Sequence, residues 1–202
     1  MRKILLAFVF VGLSACAPKP IQDGIIEKVS WETKAQIRQL RDNQVHNISI
    51  DVYAVKGDKL RMEASGTLGY KLASVVMDRE KVQAIVFTEK KFYFGSASQD
   101  VMTKAFRVPV PPNVFFAIIF DQQLRGTGWK CESDPQGLIQ SCSHKDLIRI
   151  EWERLESPSK IVRLKTKTFE MEWYFKALDL EWQPKKEIFN LTAPQNYQSV
   201  KL

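Results

Sequence analysis

Phe169-Glu170-Met171-Glu172-Trp173-Tyr174-Phe175 is the stretch that decides the fold. Every second residue is large and apolar, and two of the three between them are glutamates. A strand sends successive side chains to opposite faces, so Phe169, Met171, Trp173 and Phe175 share a dry face while Glu170 and Glu172 stay in water. The pattern recurs outward from there. Val162 and Leu164 alternate with Arg163 and Lys165, and Ile148, Ile150 and Trp152 alternate with Arg149, Glu151 and Glu153. Leu60, Met62 and Ala64 alternate with Lys59, Arg61 and Glu63, and Phe189 and Leu191 repeat the pattern near the C-terminus. Strands with one dry and one wet face build an antiparallel sheet. The turn signals Lys56-Gly57-Asp58, Asp134 to Gly137 and Ser157-Pro158-Ser159 join them. The expected architecture is mainly β, with about 11 strands.

The middle of the chain breaks the period. Ser98 to Phe106 predicts a short helix. Val108-Pro109-Val110-Pro111-Pro112-Asn113 then leads into seven apolar residues, Val114 to Phe120. The preceding prolines, Asn113 as a cap and the polar exit Asp121-Gln122-Gln123 predict a buried helix. A large sheet with one dry face must cover that face, and curling around an apolar helix does so. The expected lining is Phe115, Ile118 and Ile119 on the helix, with Trp152, Met171 and Trp173 on the sheet. Such a lining serves either a filled core or a cavity that takes an acyl chain, since both need apolar residues pointing inward.

Cys131 and Cys142 flank a turn, Asp134-Pro135-Gln136-Gly137, which places them across a hairpin. A disulfide is expected between them in an oxidising compartment. The spacing is not C-x-x-C, and His46 and His144 are the only histidines, so no metal site is expected. The same scarcity argues against Ser/His or Cys/His catalysis. The sequence has no Gly-x-Ser-x-Gly elbow, P-loop or His-Glu-x-x-His, and its carboxylates fall mostly on the wet faces of strands. Neither enzyme activity nor a cofactor is expected. The net charge of +7 comes from Lys and Arg interspersed with Asp and Glu. Without a basic block or a nucleic-acid motif, nucleic acid is not an expected partner; anionic headgroups or an acidic protein suit the charge better.

The N-terminus reads as an export signal. Arg2 and Lys3 precede an apolar run, Ile4 to Gly12, and then Leu13-Ser14-Ala15-Cys16. The run is too short to span ~30 Å of hydrocarbon. Leu-Ser-Ala-Cys matches the lipobox of bacterial lipoproteins. Residues 1–15 are therefore expected to be a lipoprotein signal peptide, Cys16 the lipidated residue, 16–29 the lipidated cysteine and tether, and 30–202 one domain. Two or three acyl chains on Cys16 would hold the chain firmly on a membrane. Ala17, standing where Asp would favour the inner membrane, points to the outer membrane.

Ser65-Gly66-Thr67-Leu68-Gly69 and the strand Tyr70 to Met77 resemble the Pro-Leu-Gly loop and following strand of LolB-like outer-membrane lipoproteins, in the LolA/LolB superfamily. Phe106-Arg107-Val108-Pro109-Val110-Pro111-Pro112-Asn113 and its apolar helix resemble that family's Gly-x-Pro-hydrophobic-Pro segment and helix. Phe189-Asn190-Leu191-Thr192-Ala193-Pro194 resembles the superfamily's final strand, and the order of elements agrees. Thr67 departs from the family's proline, and the cysteine pair is not a family hallmark. The resemblance implies an unclosed antiparallel β-barrel with helices plugging its mouth. It implies a monomer that takes lipoprotein acyl chains from a periplasmic carrier of LolA type and releases them into the outer membrane. An exposed leucine on the family's Leu-Gly loop contributes to membrane delivery, and Leu68-Gly69 matches it. Two further readings are a lipid-binding lipoprotein with another cargo, and a structural lipoprotein of an envelope complex with a filled core.

Overall fold

The computed structural model describes residues 26–202 apart from Arg107 and Asp146. The expected signal peptide, Cys16 and nearly all of the tether lie outside the described residues.

Twelve strands form one sheet. They are β1 (Lys28–Gln39), β2 (Val45–Val55), β3 (Lys59–Gly66), β4 (Lys71–Met77), β5 (Lys81–Val86), β6 (Lys91–Ser96), β7 (Trp129–Ser133), β8 (Ile139–His144), β9 (Ile148–Arg154), β10 (Lys160–Thr166), β11 (Phe169–Asp179) and β12 (Gln198–Lys201). Their order across the sheet is β12-β6-β5-β4-β3-β2-β1-β11-β10-β9-β8-β7. Neighbours are antiparallel except β12, which runs parallel to β6. The edge strands β12 and β7 do not pair with each other, so the barrel is unclosed, as expected. Alternation puts Val29, Trp31, Thr33 and Ala35 of β1 on the buried side together with Phe169, Met171, Trp173 and Phe175 of β11.

The concave side is covered by helix α1 (Gln99–Phe106) and helix α2 (Asn113–Ile119). Val101 and Met102 of α1 are buried, as are Val114, Phe115, Ala117, Ile118 and Ile119 of α2. Asn113 is not the cap. Pro112 already has helical angles, φ −54° and ψ −34°, so the proline enters the helix and Asn113 follows as its first residue.

The C-terminal tail departs from the expected pattern. Phe189 and Leu191 do not form the expected strand: Lys186–Phe189 is a 3-10 turn. The segment after β11 instead straps the outer surface. Trp182 packs on Tyr53, with ring centroids 5.6 Å apart, and on Phe189. The Arg61 guanidinium donates to the Ile188 carbonyl. Having crossed the sheet, the chain adds β12 along the free side of β6.

Cys131 and Cys142 are register partners at the β7 edge, with Cα atoms 4.1 Å apart, and they form the expected disulfide. Closing so short a loop contributes about 3 kcal/mol in the chain-entropy picture. It pins an edge hairpin that is paired on one side only.

The wet face holds one electrostatic conflict. Glu32, Asp51 and Glu63 stand side by side across β1, β2 and β3. Partial burial, then Glu32 and Glu63, push the Asp51 carboxyl above its usual value. A raised carboxyl favours the protonated folded state, so its ionisation costs stability as pH rises past 3.8, and the cost is complete above the folded value. Asp51→Asn should therefore stabilise the protein by about 0.5 kcal/mol, a modest figure because the residue is exposed. Thermal unfolding checks it: the gain should be present at pH 7 and vanish near pH 3.

Candidate functional site

The interior is built where β11 crosses beneath α2. Phe115 meets Trp173 edge-on, with ring centroids 6.4 Å apart, and Trp173 leans on Phe175 at 4.7 Å. Trp31 closes the cluster edge-on to Phe175 at 5.3 Å. The Trp173 indole donates to the Thr33 hydroxyl, which donates in turn to the Ile50 carbonyl, so the polar atoms at this depth are paired. All six residues expected to line the interior, Phe115, Ile118, Ile119, Trp152, Met171 and Trp173, are buried on the concave side. Four buried polar atoms of the described residues break the rule: Ser74 Oγ, Arg154 Nε and two indole nitrogens. The indole nitrogens of Trp31 and Trp152 are buried with no acceptor among the described residues. An unpaired buried donor costs about 1–3 kcal/mol, so each is a standing site for an oxygen acceptor.

One residue escaped the sequence reading. Lys160, at the start of β10, is only 2% exposed. Its ammonium donates to the carbonyls of Ile118 (2.8 Å) and Ile119 (3.3 Å) and to Asp121 Oδ1 (2.6 Å). It lies 4.7 Å from the centroid of the Phe175 ring and 5.5 Å from that of Trp31. Arg154 holds the other Asp121 oxygen at 2.7 Å. The last carbonyls of a helix have no partner within it, and they carry the negative end of its dipole. Lys160 satisfies two of them and ties the C-terminal end of α2 to the sheet. Burial depresses the Lys160 pKa, and Asp121 pulls it back up. The signal was in the sequence: the inward series Thr166, Leu164, Val162 extends by twos to Lys160.

The Leu68 loop is a tight turn. Gly69 N–H donates to the Gly66 carbonyl at 2.8 Å, and Gly66 N–H donates to the Tyr70 carbonyl at 2.9 Å. Gly69 has φ +77°, which glycine adopts freely. A Cβ on Gly66 would sit 2.4 Å from the Tyr70 ring, so glycine there lets the ring fold over the turn. Leu68 is left at the tip, 90% exposed. It does not adjoin α2. The β3 register puts it at the end of the sheet opposite the turn at 56–58, whereas Gly57 of that turn lines one concavity together with Phe116 and Ala117 of α2 and with Gln122 beyond its exit.

No protein-family model matches the sequence, and no curated protein does. A LolA superfamily protein from Nitrosomonas europaea superposes with a TM-score of 0.55 at 8% identity, over 83% of this chain and 92% of that one. The fold is LolA-like. An outer membrane lipoprotein-sorting protein domain from Vibrio parahaemolyticus superposes less closely, with a TM-score of 0.46 at 5% identity, over 83% of this chain and 91% of that one. In the LolA-like frame, α2 covers the interior and Leu68 projects from the opposite rim. The histidines stand apart from this interior: His144 packs on Trp129 with ring centroids 5.0 Å apart, and His46 is exposed on β2. No helix among the described residues is long and apolar enough to cross a membrane.

Proposed function

We propose that this protein is a lipid-anchored receptor of the outer membrane that accepts lipoproteins from a soluble carrier of LolA type. It shelters their acyl chains beneath α2 and delivers them to the bilayer. The observation that carries this reading is Leu68, held out in water at the tip of a glycine-bounded turn on a LolA-like barrel. Exposing a leucine forgoes about 2 kcal/mol of burial, which contact with a membrane surface recovers. Cys16 supplies the anchor that keeps the rim close to that surface.

The interior suits the cargo. Its walls are aromatic and aliphatic, and the free indole N–H groups of Trp31 and Trp152 match the ester carbonyls of an acylated glycerol. Each CH₂ removed from water gains about 0.8 kcal/mol, so an acyl chain moves between two such interiors without nucleotide and finishes in the bilayer as the deepest sink. Entry requires α2 to swing aside. The helix has seven residues, too few to be stable alone, and prolines at 109, 111 and 112 lead into it.

The test is a transfer assay. A labelled lipoprotein is loaded on the cognate carrier and mixed with this protein and outer-membrane vesicles. Label should reach the vesicles only when the protein is present. Leu68→Glu should slow the transfer at least about fivefold while leaving the thermal midpoint unchanged, because the side chain touches only solvent. Label that stays on a demonstrably competent carrier would rule the reading out. Binding of free acyl lipids without transfer would favour a lipid carrier with another cargo, which the same indole donors suit.

A further inference from the structure

The rim that bears Leu68 has a second protrusion. Strand register places the connections 40–44, 67–70, 145–147 and 167–168 at that one end of the barrel. Leu147, 44% exposed, stands on the β8–β9 connection, and Val45 is exposed at the start of β2. Beside Leu147 lies a concavity of about 580 Å³ with an apolar floor of Leu40, Leu147 and Ile148. Lys145, Lys165 and Lys167 line its sides, and no described carboxylate does. Lys165 is engaged by Glu170, whereas Lys145 and Lys167 have no ion-pair partner among the described residues. The described acids of this rim are Asp42 and Glu89. The Asp42 carboxylate accepts the Gln44 N–H, and that of Glu89 binds Lys91 and Tyr93.

The opposite end is built from other residues. Its connections at 56–58, 78–80, 134–138 and 155–159 carry Asp58, Asp78, Glu80, Asp134 and Glu156 against Lys56 and Arg79. It also exposes leucines, with Leu155 at 39%. Exposed leucine alone therefore does not distinguish the two ends; lysines around the leucine do. Apolar tips ringed by cations suit a surface that is apolar at depth and anionic at its face.

We propose that the Leu68 end is a docking face for an anionic bilayer. Leu68 and Leu147 enter the acyl boundary from opposite sides of the rim, and the groove of Lys145, Lys165 and Lys167 receives lipid phosphates. This extends the delivery role proposed for Leu68 but needs no cargo, so the two readings fail separately.

The test uses the mature chain with Cys16→Ala, which removes the anchor, and sedimentation with phosphatidylcholine vesicles with or without phosphatidylglycerol. Phosphatidylglycerol should raise partitioning roughly tenfold, and added salt should reverse the gain. The pair Lys145→Glu and Lys167→Glu should lower binding to the anionic vesicles roughly tenfold, and Leu147→Glu several-fold, with unchanged thermal midpoints. Leu155→Glu, at the other end, should bind as the parent does. Equal binding to neutral and anionic vesicles, or indifference to the Lys145 and Lys167 exchanges, would overturn the proposal. So would salt-sensitive binding to an acidic carrier protein with none to vesicles. Lipoprotein transfer without such docking would remove this proposal alone, and docking without transfer would remove only the receptor reading.

Discussion

Lys160→Met is expected to lower the unfolding free energy by about 3 kcal/mol, although methionine keeps most of the side-chain volume. The loss comes from α2. Phe120 N–H takes the Phe116 carbonyl and Gln122 N–H takes that of Ala117, leaving the Ile118 and Ile119 carbonyls to Lys160. Methionine offers them nothing, and buried acceptors without a donor are costly. Asp121 is not stranded, because Arg154 retains its second oxygen and the side chain is a third exposed; this keeps the loss at the low end of the range for broken buried pairs. Urea unfolding of the two proteins at pH 7 measures it.

The pH dependence gives a second readout. The folded Lys160 pKa lies below 10.5 because of burial. Between that depressed value and 10.5 the unfolded chain binds more protons, so unfolding free energy rises with pH in this window and the contribution is lost as pH falls through the folded value. The variant lacks the group. The stability gap between parent and Lys160→Met should widen from pH 7 toward pH 10, and the raised tyrosines Tyr53 and Tyr93, present in both proteins, cancel from the difference. A gap that is flat in pH would mean that Lys160 titrates alike folded and unfolded. If Lys160 holds α2 shut, the variant should also bind a fluorescent fatty acid more tightly than the parent, because less free energy is needed to move the helix aside.

How much of this was legible in the sequence depends on what each residue answers to. Trp152, Met171 and Trp173 could be placed inward because a strand's period is set by its own backbone and their neighbours are charged. The buried α2 could be read because three prolines and seven apolar residues leave few other outcomes. The cysteine hairpin followed from local turn chemistry. Lys160 was missed for the opposite reason. Its environment is assembled from α2, some forty residues earlier, and only that helix end turns an inward lysine from a liability into a cap. The C-terminal tail failed similarly: Phe189 found its apolar partner in Trp182 on the outer face, so its apolar character marked a strap rather than a strand. Leu68 was identified through a resemblance, but its place opposite α2 follows only from the register of β3.

Trp173→Ala should cost about 4 kcal/mol, among the largest losses available in this core. Trp173 is fully buried between Phe115 and Phe175, so truncation removes an indole and leaves a void that the flanking sheet cannot close. Trp173→Phe should cost less, about 1–2 kcal/mol, since a ring still fills most of the space and Thr33 keeps its bond to the Ile50 carbonyl. Denaturant midpoints of the three proteins rank these effects. The position of the void makes the experiment one of function as well. It lies directly under α2, in the interior proposed to receive acyl chains, so Trp173→Ala should bind a fluorescent fatty acid more tightly even as it loses stability. Leu60→Ala supplies the contrast: it truncates another fully buried side chain, on β3. It should lose about 3 kcal/mol with no gain in binding if the ligand sits beneath the helix. Equal gains in both variants would mean that the probe senses general loosening, and acyl binding under α2 would lose its support. A gain confined to Trp173→Ala would fix the acyl site at the crossing of β11 and α2, where Lys160 controls access.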